Sequence, residues 1–585
     1  MSLGDARGVG ERIRLADRKP SDWYALGALC ALLVAGGWLL LYESRGTTFF
    51  QDEWNWILTR RTGGIGSFLK PHNQHLSLMP VAIYKLLFAT AGLRHYWPYR
   101  ACLTAAQLMC VTLVFVYARR RVGSWVALLA AALILVFGPG WQDILWPFQI
   151  GWVIAIAAGI GALIALDQAR TANNLCACGL LAVSLASGAP GIAVAAGMIV
   201  EVLWQRPRRD LWIVAVPVVL YAIWWVGYQQ ASLLSGSLPL VPRFVLDSAA
   251  GVLSSLTGLA HIDAATDTGT YLEAGPALVL GFTVGAICWA RVKWPGARLL
   301  ALAVIPLTFW TIVGVGRAKT RVGGVVLSFT GDEGRYLYVG AVWTVLVTVE
   351  LARGLRPKTW VLGLLTLATA AAAVSNVGTL LDGGALLRAQ AQTTRTELGT
   401  LDMTRTVVAP SFASNGFIFF AYVTARDYFA AERQLGTPAA TPAQIAAYPD
   451  PARSAADSQL IRIHNPTMAA STTDPRRLRG NPPHIDSAGS GTYSVHSACL
   501  RWRAPDSRAT TAVSAFALVL PASGLLVQAD GASASISIRR FSAAFHPLAT
   551  LRQSAAEQIR IGPDLGPEPW HVQIESSDRI LACAL

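Results

Sequence analysis

The amino-acid sequence predicts a polytopic α-helical membrane protein with a β-rich C-terminal domain, and three observations support this fold class. Of the 585 residues, 53% are hydrophobic and only 14% are charged, a composition that excludes an ordinary soluble protein. Apolar runs of roughly 15 to 23 residues recur from Trp23 to Val377, near the ~20 residues that a helix needs to cross a bilayer. From Gly378 onward the sequence is polar and rich in Ala, Ser, Pro and Arg.

We predict about eleven membrane-spanning helices from these runs. The first is an uncleaved helix, because it is too long for the apolar region of a signal peptide and no Ala-x-Ala cleavage site follows it. The predicted spans are residues 23–42, 97–117, 122–138, 144–166, 171–189, 190–204, 211–228, 274–290, 299–316, 336–350 and 359–377.

Basic residues predict the orientation of this region, residues 23–377, in a plasma (inner) membrane. The net charge of +14 does not indicate a nucleic-acid partner, because Lys and Arg concentrate in alternate short turns between the spans. The opposite turns, 139–143 and 187–191, contain neither Lys nor Arg. By the positive-inside rule, residues 1–22 are then a cytoplasmic segment. The long extracytoplasmic loops are predicted at residues 43–96, 229–273 and 317–335.

The apolar run Met79–Leu93 is not counted as a span. It is short, contains Lys85 and is bounded by Pro80 and Arg94. If it crossed the membrane, every later basic turn would move to the outer side. We therefore predict a helix that lies in the membrane interface.

Residues 378–585 are predicted to form an extracytoplasmic domain. Its first part, 385–470, has a helical and irregular pattern, whereas 492–585 alternates between apolar and polar residues, as strands do. Only Cys499 and Cys583 lie in this polar region, while the other cysteines lie in apolar segments. We predict a disulfide between them, which requires an oxidising compartment.

The segment after the first span, FFQDEWNWILTRR, holds the first candidate catalytic groups. Asp52 and Glu53 lie among four aromatic residues at the predicted membrane boundary. Partial removal of water would make such a carboxylate a stronger general base. The alternative is an interfacial belt of aromatic residues with two solvated acids.

His72 and His75 lie in the stretch HNQH ahead of the interface helix. They could bind a phosphate or sugar hydroxyls, or a metal together with the acids, although their spacing matches no specific metal motif. The alternative role is a helix cap or hydrogen bonding within the loop.

Asp143 lies between Trp141 and Trp146 in the second outer turn. Beside Asp52 it could orient an acceptor or a metal while the other carboxylate activates the hydroxyl. The alternative is a solvated carboxylate in a turn.

A group of cations interrupts the positive-inside pattern near the tenth predicted span. Such a group beside a helix end suits a lipid phosphate, and arginine can hold two phosphate oxygens at once. The alternative is charge balance with Asp332 and Glu333. The candidate phosphate-binding residues are Arg317, Lys319, Arg321, Arg335 and Tyr336.

Taken together on one predicted face, these motifs resemble the GT-C superfamily of membrane glycosyltransferases. The likeness lies in Asp52-Glu53 after the first helix, the His-containing first loop with its interface helix, the acidic second turn at Asp143, and Arg335-Tyr336 at a late helix. It covers the chain to about residue 377.

The resemblance implies a GT-C-like fold, a polyprenyl-phosphate sugar donor, and an inverting transfer outside the cytoplasm with an acid of the first loop as the base. This chain has Asp-Glu where some members have Asp-Asp, which leaves open which carboxylate is the base; we assign Asp52. Members with a C-terminal soluble domain include arabinosyl- and mannosyltransferases of actinobacterial envelopes. The implied acceptor is thus an envelope glycan or glycolipid.

Two other functions remain open from the sequence. A transporter or flippase of lipid-linked glycans would place charges near the centres of helices, but Arg100, Glu201 and Glu350 lie near span ends. An envelope polysaccharide polymerase or ligase would use a similar donor. Neither a Rossmann nor a P-loop fingerprint is present in the sequence. The sequence requires no divalent metal and identifies no cofactor.

Overall fold

The structure is a computed structural model that resolves most of the chain into two compact units. Residues 1–19 of the predicted cytoplasmic segment and parts of the loops 229–273 and 317–335 lie outside the described residues. Unit 1 comprises Met1–Arg45, Thr62–Leu87 and Trp97–Leu387; unit 2 comprises Gly46–Arg61, Phe88–Tyr96 and Arg388–Leu585. The described residues are 20–228, 237–263, 268–271, 274–292, 296–322, 325–327, 330–331, 333–414, 423–505 and 514–585.

Helices dominate the chain up to residue 464. They are α1 (Pro20–Glu43), α2 (Asp52–Arg60), α3 (Gly66–Leu69), α4 (Leu78–Thr90), α5 (Trp97–Val122), α6 (Ser124–Leu135), α7 (Trp141–Leu145), α8 (Ile150–Ala165), α9 (Thr171–Leu185), α10 (Pro190–Gln205), α11 (Trp212–Tyr228), α12 (Val241–Leu256), α13 (Ala274–Val292), α14 (Ala297–Arg317), α15 (Gly334–Leu351), α16 (Thr359–Met403), α17 (Ala425–Leu435), α18 (Pro442–Ala447) and α19 (Asp450–His464).

Every predicted span overlaps a helix, and the prediction of a helical protein with several apolar spans is confirmed. Within the described residues, six helices are long and apolar enough to cross a membrane, and the bent pair α6–α7 would make a seventh. Four shorter apolar helices are α4, α9, α10 and α13. The total of about eleven spans therefore stays a prediction. The predicted interface segment does form a helix, α4, of 13 residues.

Small residues allow the helices of unit 1 to pack closely. A Cβ atom at Gly197 of α10 would lie 2.6 Å from the carbonyl oxygen of Ala301 on α14. A Cβ atom at Gly340 of α15 would lie 2.5 Å from the Trp310 ring. Both distances are too short for any side chain, so glycine is required for the close approach of these helices.

The two ends of unit 1 differ in composition, and we call one the loop end and the other the arginine end. The loop end holds residues 62–80, 137–150, 186–190, 330–331 and 333–336, and Met79 N donates to Ala186 O there at 3.1 Å. The arginine end holds residues 117–124, 166–174, 201–212, 297–298 and 350–358.

Buried ion pairs join the helices at the arginine end. Arg121 contacts Glu350 at 2.5 Å and Asp167 at 3.0 Å. Arg298 contacts Glu201 at 2.5 Å and Asp167 at 3.1 Å. These contacts compensate charges that burial alone would strongly destabilise, and they tie α5, α10, α14 and α15 to the turn after α8.

The predicted tight turn at 139–143 is wrong. After α6 the chain bends by 46° and forms a short 3₁₀ turn, helix α7, and a second 3₁₀ turn at Pro147–Gln149 before α8 begins. Pro139 is the second residue of the first 3₁₀ turn and Pro147 is the first residue of the other. Each proline fixes φ near a helical value and lacks the N–H that a continuous helix would need. The segment is thus a broken helix packed inside unit 1.

The predicted loop 229–273 contains a helix that the sequence analysis missed. Helix α12 buries Phe244, Ser248, Val252 and Ser255, which recur at helical spacing on one face. Because some positions of this buried face are serines, the sequence does not show the apolar periodicity that predicts a helix. The serines are satisfied locally, since Ser248 Oγ donates to Phe244 O and Ser255 Oγ donates to Gly251 O.

Helix α16 contains 45 residues and continues well past the predicted end of the last span at residue 377. At 1.5 Å per residue it is roughly 68 Å long, more than twice the hydrocarbon thickness of a bilayer. Its residues from Arg388 onward belong to unit 2 and lie outside the predicted span 359–377.

The C-terminal part of unit 2 contains two antiparallel sheets, which confirms the predicted β-rich domain. One sheet has the order β5-β13-β10-β15-β8-β7 and the other β12-β11-β14-β9-β6. Trp502, Phe516, Val527, Ile536 and Ile574 are among their buried core residues.

Four short strands lie in unit 1: β1 (Ala260–Asp263), β2 (Thr268–Tyr271), β3 (Thr320–Val322) and β4 (Val325–Leu327). The strands of the two sheets are β5 (Thr467–Ala470), β6 (Ile485–Ser487), β7 (Thr492–His496), β8 (Cys499–Arg503), β9 (Ser514–Val519), β10 (Leu525–Ala529), β11 (Ala534–Arg539), β12 (His546–Leu551), β13 (Ala556–Arg560), β14 (His571–Ser576) and β15 (Arg579–Ala584).

The predicted disulfide between Cys499 and Cys583 is confirmed. The two residues are directly opposite each other on β8 and β15. The bond therefore links neighbouring strands of one sheet across 84 residues of sequence.

A buried carboxylate connects α19 to the turn after β11. Asp457 is fully buried and accepts hydrogen bonds from the backbone N–H groups of Arg540, Phe541 and Ser542 and from the Ser542 hydroxyl. Several donors around one carboxylate compensate its loss of water. Asp457 therefore fixes this helix against the sheets of unit 2.

Glu397 of α16 lies in a second buried polar group of unit 2. Ser414 Oγ lies 3.0 Å from Glu397 Oε2 and 2.7 Å from Gln459 Oε1. A hydroxyl carries one hydrogen, so Glu397 must be protonated to donate to Ser414 when Ser414 donates to Gln459. Burial raises the pKa of Glu397 to about 7, against lowering contributions from Ser414 and Arg462.

Candidate functional site

The two candidate acids of the first loop lie in unit 2 and have different surroundings. Glu53 is fully buried and accepts hydrogen bonds from the Tyr96 hydroxyl at 2.9 Å and from Phe50 N at 2.9 Å. Asp52 is half-buried at the first position of α2. Asp52 is therefore the more accessible of the two carboxylates, whereas the hydrogen bonds of Glu53 stabilise the local structure.

The aromatic residues around these acids are core residues of unit 2. Phe49 and Trp54 are fully buried and Trp56 is 2% exposed. Trp54 Nε1 donates to Phe49 O at 3.2 Å, and the Phe49 and Tyr96 rings meet edge to face at 4.6 Å. The alternative of an interfacial aromatic belt with two solvated acids is wrong, because these rings and Glu53 are enclosed by protein.

His72 and His75 lie in unit 1 and close a tight turn. Each donates its backbone N–H to the carbonyl of the other at 3.1 Å. Asn73 and Gln74 between them have positive φ values of 46° and 69°, a conformation that asparagine tolerates better than most residues. The turn buries His72, leaves His75 half-buried, and brings His75 Nδ1 within 2.9 Å of Asn73 O.

Asp143 lies on α7 in unit 1 and is fully buried. The alternative of a solvated carboxylate in a turn is therefore wrong, because the broken helix carries this residue into the protein. Trp146 and Phe148, which follow it, stack with their ring centroids 5.1 Å apart.

Ring contacts join three of the predicted motifs at the loop end. The His72 ring packs edge to face on Phe148 at 5.3 Å. Trp152 and Tyr336 stack at 6.3 Å. A Cβ atom at Gly188 would touch both the Trp152 and the His75 rings, at 3.3 and 3.8 Å, so these two rings border the same glycine. We call His72, His75, Phe148, Trp152 and Tyr336 the loop-end cluster.

Arg335 adjoins this cluster at the start of α15. Its guanidinium lies 5.1 Å from the Tyr336 ring centroid, and its Nη2 lies 3.0 Å from Glu333 Oε2. The Arg335 side chain is 28% exposed, so it can reach a ligand at the helix end. The ion pair with Glu333 agrees with the charge-balance alternative for that residue, while Asp332 lies outside the described residues.

The other predicted cations lie on the segment after α14. Arg317 is the last residue of that helix and is half-buried. Lys319 is exposed and its backbone exchanges hydrogen bonds with Ser237 Oγ. Arg321 lies in β3, and its side chain is outside the described residues. The contacts that define the loop-end cluster involve Arg335-Tyr336 and not these three residues.

The described residues contain no group of three or more His, Cys, Asp or Glu that could hold a metal ion. The structure thus brings His72 and His75 together with aromatic rings and with each other, and places Asp52 and Asp143 in different units.

An apolar cavity that the sequence analysis did not identify lies among four helices of unit 1. It has a volume of about 440 Å³ and is lined by residues of α12, α13, α14 and α15, including Phe282, Trp310 and Leu351. Because α15 also carries Arg335 and Tyr336 at its first turn, one helix connects the loop end with this cavity.

Comparisons with known proteins give one kind of match. No family model and no curated protein matches the chain. A structure of ArnT from Cupriavidus metallidurans bound to undecaprenyl phosphate is similar, with a TM-score of 0.42, 11% identity, and coverage of 72% of this chain and 86% of that chain. The apo structure of the same protein has a TM-score of 0.42, 12% identity, and coverage of 76% and 93%. The function proposed for this chain therefore rests on its own residues.

Proposed function

We propose that the protein is a GT-C-type glycosyltransferase that moves a sugar from a polyprenyl-phosphate donor to an envelope glycan or glycolipid. The transfer takes place on the extracytoplasmic side of the plasma (inner) membrane, with inversion at the anomeric carbon. The N-terminus is cytoplasmic and the C-terminal domain is extracytoplasmic. The disulfide between Cys499 and Cys583 supports this placement of the domain, because such bonds persist in oxidising compartments.

The loop-end cluster is the observation that carries the proposal. Three segments far apart in sequence, at 72–75, 148–152 and 335–336, meet through ring contacts at one end of a helical membrane unit. Aromatic faces and histidines are suited to sugar rings and hydroxyls, while an arginine beside them is suited to a phosphate. The motifs of the sequence that resemble GT-C enzymes include these segments.

Asp52 is the proposed base. It accepts the proton of the acceptor hydroxyl as that oxygen attacks the anomeric carbon and the bond to the phosphate breaks. Its half-buried position favours this role over Glu53, whose oxygens are occupied by Tyr96 and Phe50. Asp143, His72 and His75 are proposed to orient the acceptor or a metal.

Arg335 is the proposed partner of the donor phosphate. A lipid phosphate leaves as an anion, so a fixed cation stabilises the transition state more than the ground state. The Tyr336 ring packs against the guanidinium. Arg317, Lys319 and Arg321 are proposed to supply further positive charge. The polyprenyl tail is proposed to occupy the apolar cavity along α15.

A lipid-linked glycan transporter is the second candidate function. The observation that favours it is the break of 46° between α6 and α7, since transporters build binding sites at interrupted helices. A polymerase or ligase would use the same donor chemistry and differ in the size of the group transferred.

Turnover by the purified protein in lipid vesicles tests these functions. Donors would be polyprenyl-phosphate sugars, including arabinose and mannose, with release of polyprenyl phosphate as the readout. We expect turnover by the wild type and a loss of roughly 100- to 10,000-fold in Asp52→Asn, which keeps the shape but cannot accept the proton. The matched control Glu53→Gln should lose less. Movement of lipid-linked glycan across the bilayer without turnover of any donor would favour the transporter, and full activity of Asp52→Asn would reject this base.

A further inference from the structure

A polar cavity at the arginine end is separate from the candidate site. It has a volume of about 720 Å³ and lies between the turn after α8, residues 166–174, and the turn after α10, residues 205–212. Arg206 bridges the two turns, since its Nη2 donates to Leu166 O at 2.5 Å. We propose that this cavity binds a phosphate group, supplied by the headgroup of an anionic phospholipid or by free phosphate.

The charges around the cavity favour an anion. The two turns contain four arginines and two aspartates. Asp167 is already within ion-pair distance of three further arginines, Arg120, Arg121 and Arg298, so it adds little net negative charge to the cavity. Asp210 lies 3.9 Å from Arg206, a distance that leaves the guanidinium room for a shorter contact. Arg206 and Arg209 therefore dominate the lining.

Two enclosed polar atoms of the lining have no hydrogen-bond partner among the described residues. They are Asn174 Oδ1 and Arg206 Nη1. Asn174 is 7% exposed and the Arg206 side chain is 10% exposed. A buried polar group without a partner destabilises the folded protein, so such groups usually bind a water or a ligand.

Phosphate fits this lining better than a metal ion does. The guanidinium of Arg206 offers paired donors, and an amide can present its NH₂ group to an anion after the flip that exchanges its two ends. Helix α9, of 15 residues, begins at Thr171 in the cavity wall, and its first N–H groups favour negative charge.

The position of the cavity explains why a lipid could reach it. Trp212 lines the cavity, and Trp204 on the preceding helix is 59% exposed. Tryptophan is enriched at the level of lipid headgroups. The turns are predicted to face the cytoplasm, where the leaflet carries anionic lipids.

Lipid retention by the full-length protein tests the proposal. The protein would be reconstituted in phosphatidylcholine vesicles with or without phosphatidylglycerol, and retained lipid would be measured by native mass spectrometry. Inorganic phosphate would be titrated in phosphatidylcholine nanodiscs, with the unfolding temperature as the readout. The variants are Arg209→Ala and Asn174→Ala. The matched control is Arg208→Ala, which removes a neighbouring exposed arginine that does not line the cavity.

We expect the wild type to retain phosphatidylglycerol over phosphatidylcholine, and Arg209→Ala and Asn174→Ala to retain roughly ten-fold less, while Arg208→Ala behaves as the wild type. A response to inorganic phosphate with the same pattern of variants would support free phosphate as the source. Both lining variants are expected to fold, since Arg209 is exposed and the amide oxygen of Asn174 has no partner among the described residues. Equal retention by all variants, together with no response to phosphate, would overturn the proposal.

Discussion

The two ends of unit 1 handle polar groups in different ways. At the arginine end, Glu201, Glu350 and Asp167 each contact an arginine directly. At the loop end, histidines and Arg335 lie against aromatic rings, and Arg335 is partly exposed. Buried ion pairs stabilise a helix bundle, whereas a partly exposed arginine beside aromatic rings at a helix terminus can reach a ligand. Ion pairs among buried charges therefore join helices at the arginine end, whereas the proposed transfer chemistry lies at the loop end.

Removing a buried partner at the arginine end should give the largest loss of stability. Arg121→Ala leaves Glu350 buried with one arginine fewer, and we expect a loss of roughly 3–5 kcal/mol in the free energy of unfolding. The control Arg353→Ala removes a 66% exposed partner of the same carboxylate and should cost about 0–1 kcal/mol. Thermal unfolding in lipid measures both. Equal effects would mean that the network is not structural.

Glu397 provides a contrast from unit 2, because this buried carboxyl group contacts the neutral Ser414 hydroxyl, which in turn contacts Gln459. Its pKa is raised to about 7 in the folded state by burial. Its stabilising contribution is therefore complete below the unfolded pKa near 4.3 and is lost as the pH rises through about 7, on the order of 3–4 kcal/mol. Glu397→Gln should remove this pH dependence and raise the unfolding temperature at pH 8. A variant with an unchanged pH profile would contradict the protonated state.

Substitutions of Glu53 and Asp52 should separate effects on stability from effects on activity. Glu53→Gln places an amide NH₂ against the Tyr96 hydroxyl or Phe50 N–H, both of which donate to the carboxylate, and we expect a loss of roughly 1–3 kcal/mol. Asp52→Asn changes a half-buried group and should leave the unfolding temperature within about 1 °C of the wild type. Thermal unfolding distinguishes them, and the reverse order would exchange the roles assigned to the two acids.

The parts of the fold that depend on local composition could be predicted from the sequence. Apolar runs predicted the positions of the helices, and the two cysteines of the polar region predicted the disulfide. Alternation in 492–585 predicted the strands, although the first strand of the sheets begins earlier, at Thr467. The helical start of the C-terminal region was also predicted, but the single helix α16 crosses the predicted domain boundary.

The parts of the fold that depend on long-range contacts could not be predicted from the sequence. Tyr96 donates a hydrogen bond to Glu53, which lies 43 residues earlier in the sequence, and no sequence pattern predicts such a contact. The enclosure of Asp143 follows from the break between α6 and α7, which two prolines permit but do not require. Of the candidate site, the sequence identified His72, His75 and Arg335-Tyr336, while Phe148, Trp152 and Gly188 became visible only through their ring contacts.

The most direct test of the difference between the two ends compares one arginine from each. The initial rate of sugar transfer from a polyprenyl-phosphate donor would be measured for Arg335→Lys at the loop end and for Arg353→Lys at the arginine end. We expect Arg335→Lys to lower the rate by about ten-fold or more with an unchanged unfolding temperature, because lysine keeps the charge but loses the bidentate fork. Arg353→Lys should keep the wild-type rate. Equal rates for both variants and the wild type would contradict the assignment of chemistry to the loop end.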